Sequence, residues 1–429
     1  MKVSVREREG LFKELSVEVE GDIVSSILEE VYRNLRESVS IEGFRKGTAP
    51  MWIIKARYKD YIQEEVGKRV ADRTLPSAIE ESKLKPVADI YLEEVKLEEA
   101  VPKVIYRVAF ETPPEFELKE LEGLQVEVKK VEFDEELVKK RIEQLREEHA
   151  IWQPVEREIR EGDLVSVDYY IEEMESGESA QGETSGIVGQ RMFREEIDTA
   201  LVGRKEGEEV TFEDLTLYDT EGKEAGKAKV RLIIKSVKEK VLPEIGDDFA
   251  KELGIAQTWQ EAEEKIRQEV KDSVERIKRA MVEEAVAKKL VEMFEFDIPQ
   301  TLLAREVSHL VEIRARELSQ YGIDTKYLNY KSMAEELMPQ AMFNIKLRYI
   351  LEKYAKERGL QVSEEEIDKK YQEIAQQYGR SVEEIKEYFR SQNMENVLFE
   401  DVLREKAFND IISKAVIKEV EEKKNEQGD

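Results

Sequence analysis

Gly43-Phe44-Arg45-Lys46-Gly47-Thr48-Ala49-Pro50 is the stretch on which the reading of this chain turns. Two glycines and a proline within eight residues make a short, rigid tip, because glycine reaches left-handed backbone and proline locks φ. Phe44 has no apolar neighbours at strand or helix spacing to draw it into a core. Across residues 42–60 five bases (Arg45, Lys46, Lys55, Arg57, Lys59) stand against two acids (Glu42, Asp60). The whole 429-residue chain carries 69 Lys and Arg against 97 Asp and Glu, a formal charge of −28. A positive loop on so acidic a chain reads either as a docking point for a polyanion or acidic protein surface, or as a charged surface turn. In the first case charge sets on-rate and salt dependence, and Phe44 supplies an apolar anchor.

Working outward, the loop lies inside an α+β segment. Leu15, Val17 and Val19 alternate with polar residues as a half-buried strand does, and Ile23, Ile27, Val31 and Leu35 recur every four residues as a helix face. A second helix is expected from about Tyr61 to Lys83, and Val104, Tyr106, Val108 and Phe110 mark a returning strand over Lys103–Glu111. Thr112-Pro113-Pro114 then ends the domain, since neither helix nor ladder continues through Pro-Pro. This defines a first domain at 1–112.

Residues 113–149 read as a linker whose charged helix, 134–149, carries Leu137, Ile142 and Leu145 on one side. From 150 to 243 the pattern is a small antiparallel sheet domain. Val165 and Val167, then Val230, Leu232 and Ile234, alternate; glycines recur at 177, 182, 186, 189, 203, 207, 222 and 226; one short helix falls near 193–202. Residues 244–429 are expected to be an elongated all-α region of charged amphipathic arms. Thr258/Glu261, Ser332/Glu335, Ser363/Glu366 and Ser381/Glu384 each match a capping box; Pro299 suits a first helical turn, and Gly322, Gly359 and Gly379 suit helix ends. A Glu/Lys tail follows at 418–426.

Composition excludes several classes of function. With no cysteine there is no disulfide, thiol nucleophile or cysteine-held metal, and two distant histidines, His149 and His309, cannot build a multi-histidine metal site. Both histidines read as surface or connector residues. No cofactor and no metal are expected, and no GxxxxGK[ST] phosphate loop is present. The N-terminus is charged where a secretory signal would be apolar, and no run of 18 apolar residues occurs, so the expectation is a cytoplasmic protein with no membrane contact. The high Glu/Lys/Arg content without cysteine suits a protein from a hot environment. Net negative charge opposes nucleic-acid binding over the surface at large, leaving only a local basic patch for RNA.

The loop resembles the ribosome-binding signature GFRxGxxP of trigger factors, bacterial chaperones that meet nascent chains at the tunnel exit. The resemblance extends along the whole chain: motif domain, inserted glycine-rich β domain, long helical region. It implies that Gly43, Phe44, Arg45, Gly47 and Pro50, with Lys46 at the variable position, contact protein and rRNA of the large ribosomal subunit. It also implies an FKBP-type peptidyl-prolyl isomerase domain in the middle. Prolyl isomerisation needs no acid, base or metal; its barrier of about 18–20 kcal/mol comes from amide resonance, and an apolar aromatic pocket lowers it by holding the twisted amide. The residues at the implied pocket are Tyr169, Phe193, Ile197, Tyr218 and Val230. The match departs from the family there. Ile171 replaces a glycine, the proline-glycine before the pocket helix is missing from Phe193-Arg194-Glu195-Glu196-Ile197-Asp198, and Val230 stands where an aromatic is usual. Weak or lost activity is expected, with Tyr169, Phe193, Ile197 and Val230 serving instead as ordinary core.

In the helical region Met333, Leu337, Met338, Met342 and Phe343 cluster around Pro339, which is expected to end or kink a helix. Methionine adapts to varied apolar partners, so the cluster is a candidate client surface, with helix core as the alternative. The expected function is an ATP-independent chaperone binding nascent or unfolded chains at the ribosome, monomeric or weakly dimeric away from it. Two rivals stay open: a protein that is chiefly a prolyl isomerase, and a ribosome-free assembly chaperone holding folded ribosomal proteins or other basic partners.

Overall fold

The computed structural model of the chain describes residues 1–174, 177–218 and 224–421. Gly222 and residues 422–426 of the Glu/Lys tail lie outside the described residues. The chain divides into two compact units, one of Met1–Lys130 with Ala280–Asp429 and one of Val131–Arg279.

The first unit opens with a four-stranded antiparallel sheet. Strands β1 (Lys2–Glu7) and β2 (Phe12–Glu20) precede helices α1 (Asp22–Ser38), α2 (Met51–Arg57) and α3 (Lys59–Ser82), and β3 (Tyr91–Glu98) and β4 (Lys103–Glu111) follow. The spatial order is β1-β2-β4-β3. Leu15, Val17 and Val19 of β2, and Val104, Tyr106 and Val108 of β4, turn one face of the sheet into the core, where Val24, Ile27, Val31 and Leu35 of α1 and Ile62, Val66 and Val70 of α3 meet them. Gly67 marks a close approach of α3 to the sheet: a Cβ there would sit 2.0 Å from Cγ1 of Val95 on β3. The sequence reading placed no strand at 2–7 or 91–98 and began the second helix at 61. The outer strands escaped it because their residues are mostly exposed and so show no clear alternation. β5 (Gln125–Lys129) closes this part of the chain.

The second unit begins with α4 (Glu135–Glu148), capped by Asp134, whose side chain accepts from Glu136 N–H. β6 (Ile151–Pro154), β7 (Leu164–Glu173), β8 (Ser179–Ile187), the short α5 (Glu195–Leu201), β9 (Glu209–Tyr218) and β10 (Glu224–Val241) form the inserted domain. The long β10 pairs with β7 along one edge and with β9 and then β6 along the other, all antiparallel. α6 (Asp247–Glu252) leads to α7 (Trp259–Met293). Val138, Ile142 and Leu145 of α4 bury against Phe249 and Ile266.

Returning to the first unit, α8 (Gln300–Gln320), α9 (Tyr330–Arg358), α10 (Glu364–Tyr378), α11 (Val382–Ser391) and α12 (Glu395–Lys414) are helical as expected, and β11 (Val416–Val420) is an addition to the expected all-α region. β11 lies parallel to β5, Val416 opposite Gln125. Ser363/Glu366 and Ser381/Glu384 form complete capping boxes. The Thr258 hydroxyl accepts from Glu261 N–H, and the returning bond from the Glu261 side chain to the Thr258 N–H is not among the bonds described. Ser332 is not a cap: Asn329, three residues earlier, takes the N-cap position and accepts from Ser332 N–H at 3.2 Å. Pro299 stands at the N-cap of α8, one residue before the helix. Pro339 neither ends nor interrupts α9; Ala341 and Ile345, packed on Leu303, Val307 and Val311 of α8, hold the helix just beyond it.

One buried carboxylate joins the sheet to the helices of this unit. Glu111, 2% exposed at the end of β4, accepts from the backbone N–H groups of Gln300 (2.6 Å) and Thr301 (2.8 Å) at the start of α8. Pro299 has no side chain with which to cap, so Glu111 caps α8 from 189 residues away.

Candidate functional site

The 43–50 loop connects α1 to α2 and is built from its own backbone. Gly43 and Gly47 sit at φ +88° and +82°, left-handed values that side chains with a Cβ rarely take. Each glycine sits inside a turn: Phe44 N–H donates to Ile41 O (3.0 Å), and Thr48 N–H (2.9 Å) and hydroxyl (2.6 Å) donate to Arg45 O. Arg36 of α1 reaches across to Gly47 O at 3.2 Å. Pro50, extended at ψ 140°, caps α2, and Ile41 and Ala49 anchor the loop's two ends in the core.

The anchoring leaves the tip outside. Phe44 is 38% exposed, and Arg45 and Lys46 are exposed with no ion pair among the described residues. By contrast Lys55 is committed to structure: it bonds Glu99 at 2.8 Å and lies 4.4 Å from the Tyr32 ring centroid. Burial works against ionisation of Glu99, yet Lys55 and the Tyr32 hydroxyl hold its carboxyl below the usual range. The loop is thus a rigid projection carrying two available cations and one half-open aromatic ring.

The structure also presents Trp52, which the sequence reading passed over. It is 72% exposed in the first turn of α2. With Ile54 fully buried, a residue two places earlier on a helix points the opposite way, which only the structure reveals.

Of the implied isomerase residues, Tyr169, Phe193, Ile197 and Val230 join one apolar cluster with Val165, Val167 and Leu232. The Tyr169 phenol lies on Gly182 and the Phe193 ring on Gly186, where a Cβ would come within 2.6 Å of the Tyr169 hydroxyl and 2.7 Å of the Phe193 ring. Val230 is 3% exposed. Tyr218 is not brought to this cluster; it is exposed, with the Arg194 guanidinium 5.2 Å from its ring centroid. A groove of ≈ 620 Å³ occurs where Tyr170, Thr211, Lys229 and Arg231 line the sheet, and of the five residues only Val230 touches it.

The methionine cluster of α9 divides. Met333 and Leu337 pack on α8, Phe343 is half-buried, and Met338 and Met342 are exposed at 43% and 40%. A second apolar feature, not foreseen, is a cavity of ≈ 540 Å³ lined by Ile374, Tyr378, Ile385, Tyr388, Phe389 and Met394 of α10, α11 and the turn before α12. The four-residue steps Ile374–Tyr378 and Ile385–Phe389 were its sequence signal. No helix among the described residues is long and apolar enough to cross a membrane.

Comparison with known proteins agrees with this architecture. The family model "Bacterial trigger factor protein (TF)" matches residues 1–145, and "Bacterial trigger factor protein (TF) C-terminus" matches residues 258–413. The trigger factor of Aquifex aeolicus (strain VF5) is 52% identical over 415 residues, covering 96% of this chain and 87% of that protein. The trigger factor of Halothermothrix orenii is 32% identical over 414 residues, covering 91% and 94%. A solved structure described as "Promiscuous Substrate Recognition in Folding and Assembly Activities of the Trigger Factor Chaperone" covers 96% of this chain and 99% of its own, at a TM-score of 0.53 and 26% identity. On both family models and a relative more than half identical along almost its whole length, the chain belongs to the trigger factor family of ribosome-associated chaperones.

Proposed function

We propose that the chain docks on the large ribosomal subunit at the tunnel exit through Gly43, Phe44, Arg45, Lys46, Gly47 and Pro50, and there receives nascent or unfolded chains without ATP. The observation that carries this reading is the loop's construction. Two left-handed glycines and a capping proline fix a tip whose Arg45 and Lys46 have no ion pair among the described residues. A rigid tip loses little entropy on docking, and unpaired cations on a −28 chain give it a field that attracts a polyanion. Clients would be held on dispersed apolar side chains of the helical region, with Met338, Met342 and the α10–α11 cavity as the exposed candidates and Met333, Leu337 and Phe343 as their support. In this reading residues 1–112 are the docking domain, 113–149 the linker, 150–243 the FKBP-like domain and 244–429 the client-binding domain. The protein works in the cytoplasm, as a monomer or weak homodimer when off the ribosome.

Isomerase activity in this reading is weak or lost. Tyr169, Phe193 and Ile197 pack within the domain's own core, Val230 is buried, and Tyr218 lies apart. A second reading, assembly of folded basic partners such as ribosomal proteins, draws on the net charge and on the assembly activity named for the structural relative. The test is co-sedimentation with purified 70S ribosomes of the parent and of a Phe44→Ala, Arg45→Ala, Lys46→Ala variant. The parent pellets and the variant stays in the supernatant with its helical circular dichroism intact. Equal pelleting of both, or of neither, removes the loop as the anchor.

A further inference from the structure

Trp52 is the large side chain nearest the docking loop in sequence that neither the core nor the loop accounts for. Its neighbours Met51 and Ile53 are partly buried and Ile54 fully so, which turns the indole outward to 72% exposure. The indole N–H has no hydrogen bond, and the ring no aromatic or cation contact, among the described residues. Beyond these core-facing neighbours, the side chains nearby in the sequence include several cations. Lys55, three residues on along α2, is already paired with Glu99, Lys59 opens the next helix, and Arg45, Lys46 and Arg57 are exposed with no ion pair among the described residues.

That surrounding discriminates between kinds of partner. An aromatic hot spot against another protein sits within a rim of contacts that excludes water. An exposed flat ring on a segment that also carries the unpaired bases Arg45, Lys46 and Arg57 matches single-stranded RNA instead, where a splayed nucleobase stacks on an aromatic face and nearby Lys and Arg meet the phosphates. Because the rest of the chain is strongly acidic, this positive segment is where RNA can approach. Resting on the docking reading above, we infer that Trp52 is a stacking platform for an unpaired base of ribosomal RNA beside the 43–50 loop. Arg45 and Lys46 supply charge and position, and Trp52 supplies sequence-tolerant stacking.

The experiment measures ribosome affinity at several salt concentrations for the full chain and for Trp52→Ala, Trp52→Leu, Trp52→Phe and Arg45→Ala/Lys46→Ala. Trp52 is exposed, so its variants should keep the parent's circular dichroism. Base–aromatic stacking implies that Trp52→Ala and Trp52→Leu each lose about 5- to 100-fold in affinity, while Trp52→Phe stays within a few-fold of the parent. The slope of log affinity against log salt stays unchanged in the Trp52 variants and falls in the Arg45/Lys46 variant. If Trp52→Leu binds as tightly as the parent, general apolar contact suffices and stacking is overturned. If Trp52→Phe is as weak as Trp52→Ala, a shaped protein pocket is the partner and the RNA assignment falls. If Trp52→Ala binds normally while the Arg45/Lys46 variant is released, this inference fails and the docking reading stands. If neither loses affinity, both fail.

Discussion

Replacing Glu111 removes the cap of a helix in a different part of the sequence, and the consequence can be worked through. Both carboxylate oxygens are used, one by Gln300 N–H at 2.6 Å and one by Thr301 N–H at 2.8 Å, and the residue is 2% exposed. Hydrogen bonds to a charged group contribute roughly 1.5–3 kcal/mol each, and an unmet buried donor costs about 1–3 kcal/mol. The negative charge at the helix N-terminus adds a further increment of up to about 2 kcal/mol when partly buried. These overlap, so Glu111→Ala is expected to destabilise the start of α8 by about 3 kcal/mol. Glu111→Gln keeps one neutral acceptor and should cost about half as much. The assay is amide hydrogen exchange on the full chain, read at Gln300 and Thr301. A loss of 3 kcal/mol appears as exchange about a hundredfold faster in the alanine variant, with glutamine between it and the parent. Parent-like exchange at both amides in Glu111→Ala would refute the reasoning, because Pro299 offers no side-chain replacement.

Three further outcomes are expected. Gly67→Ala forces a methyl to within 2.0 Å of Val95 Cγ1, and Val is stiff at χ1, so the urea midpoint of the first unit's sheet should drop by an amount corresponding to about 1–3 kcal/mol; an unchanged midpoint shows that α3 can lift off β3 freely. Burial, and then the Glu352 charge, push the Tyr349 phenol up to about 12. Its folded form therefore favours the proton, so its contribution to stability is complete below about pH 10 and lost as pH rises toward 12; ultraviolet titration should place it among the late phenols with Tyr32, Tyr106, Tyr354 and Tyr371, and Tyr349→Phe should remove one of that late group. The Lys406 ammonium, followed by the Ser363 N–H, holds the Glu366 carboxyl below the usual range, so its support of α10 is present above about pH 4.3 and fades as pH falls through the lower folded value. Helix protection in α10 that stays constant down to pH 2, or that fades equally early in Glu366→Gln, contradicts this.

How much of this was legible beforehand depended on whether the signal was local. The boxes at Ser363 and Ser381 read correctly because both partners lie within four residues. Ser332 failed because Asn329 offers the same acceptor one turn earlier, and an N-cap is decided by competition between neighbours. The strand alternation of Val104 to Phe110 was visible because its face is buried; β1 and β3, at the sheet's edges, have little buried face to show. Pro339 carries a local helix penalty in the sequence, whereas the packing of Ala341 and Ile345 beyond it, which holds α9 together, is tertiary. At the site, Gly43 through Pro50 carried its chemistry in one contiguous run. Trp52 did not, since a seven-residue helix gives too few turns for a periodic face. Nothing local in the sequence shows that Tyr218 stays exposed against Arg194, outside the apolar cluster, because that placement is tertiary.

The parallel pairing of β5 with β11 sets a timetable for the protein's own birth. All four strands of the first sheet are complete by residue 111, so the loop-bearing portion has its hydrogen-bonding partners early. Residues 125–129 must instead wait for residues 416–420, about 290 positions downstream, before their ladder can form. At a synthesis rate of about 5–20 residues per second that delay lasts roughly 15–60 s. Throughout it Val126 and Val128 lack the strand that pairs with them, and a short apolar edge stays open while the inserted unit is made and folds. The first unit is therefore begun first and finished last, and its closure reports that translation has passed residue 420.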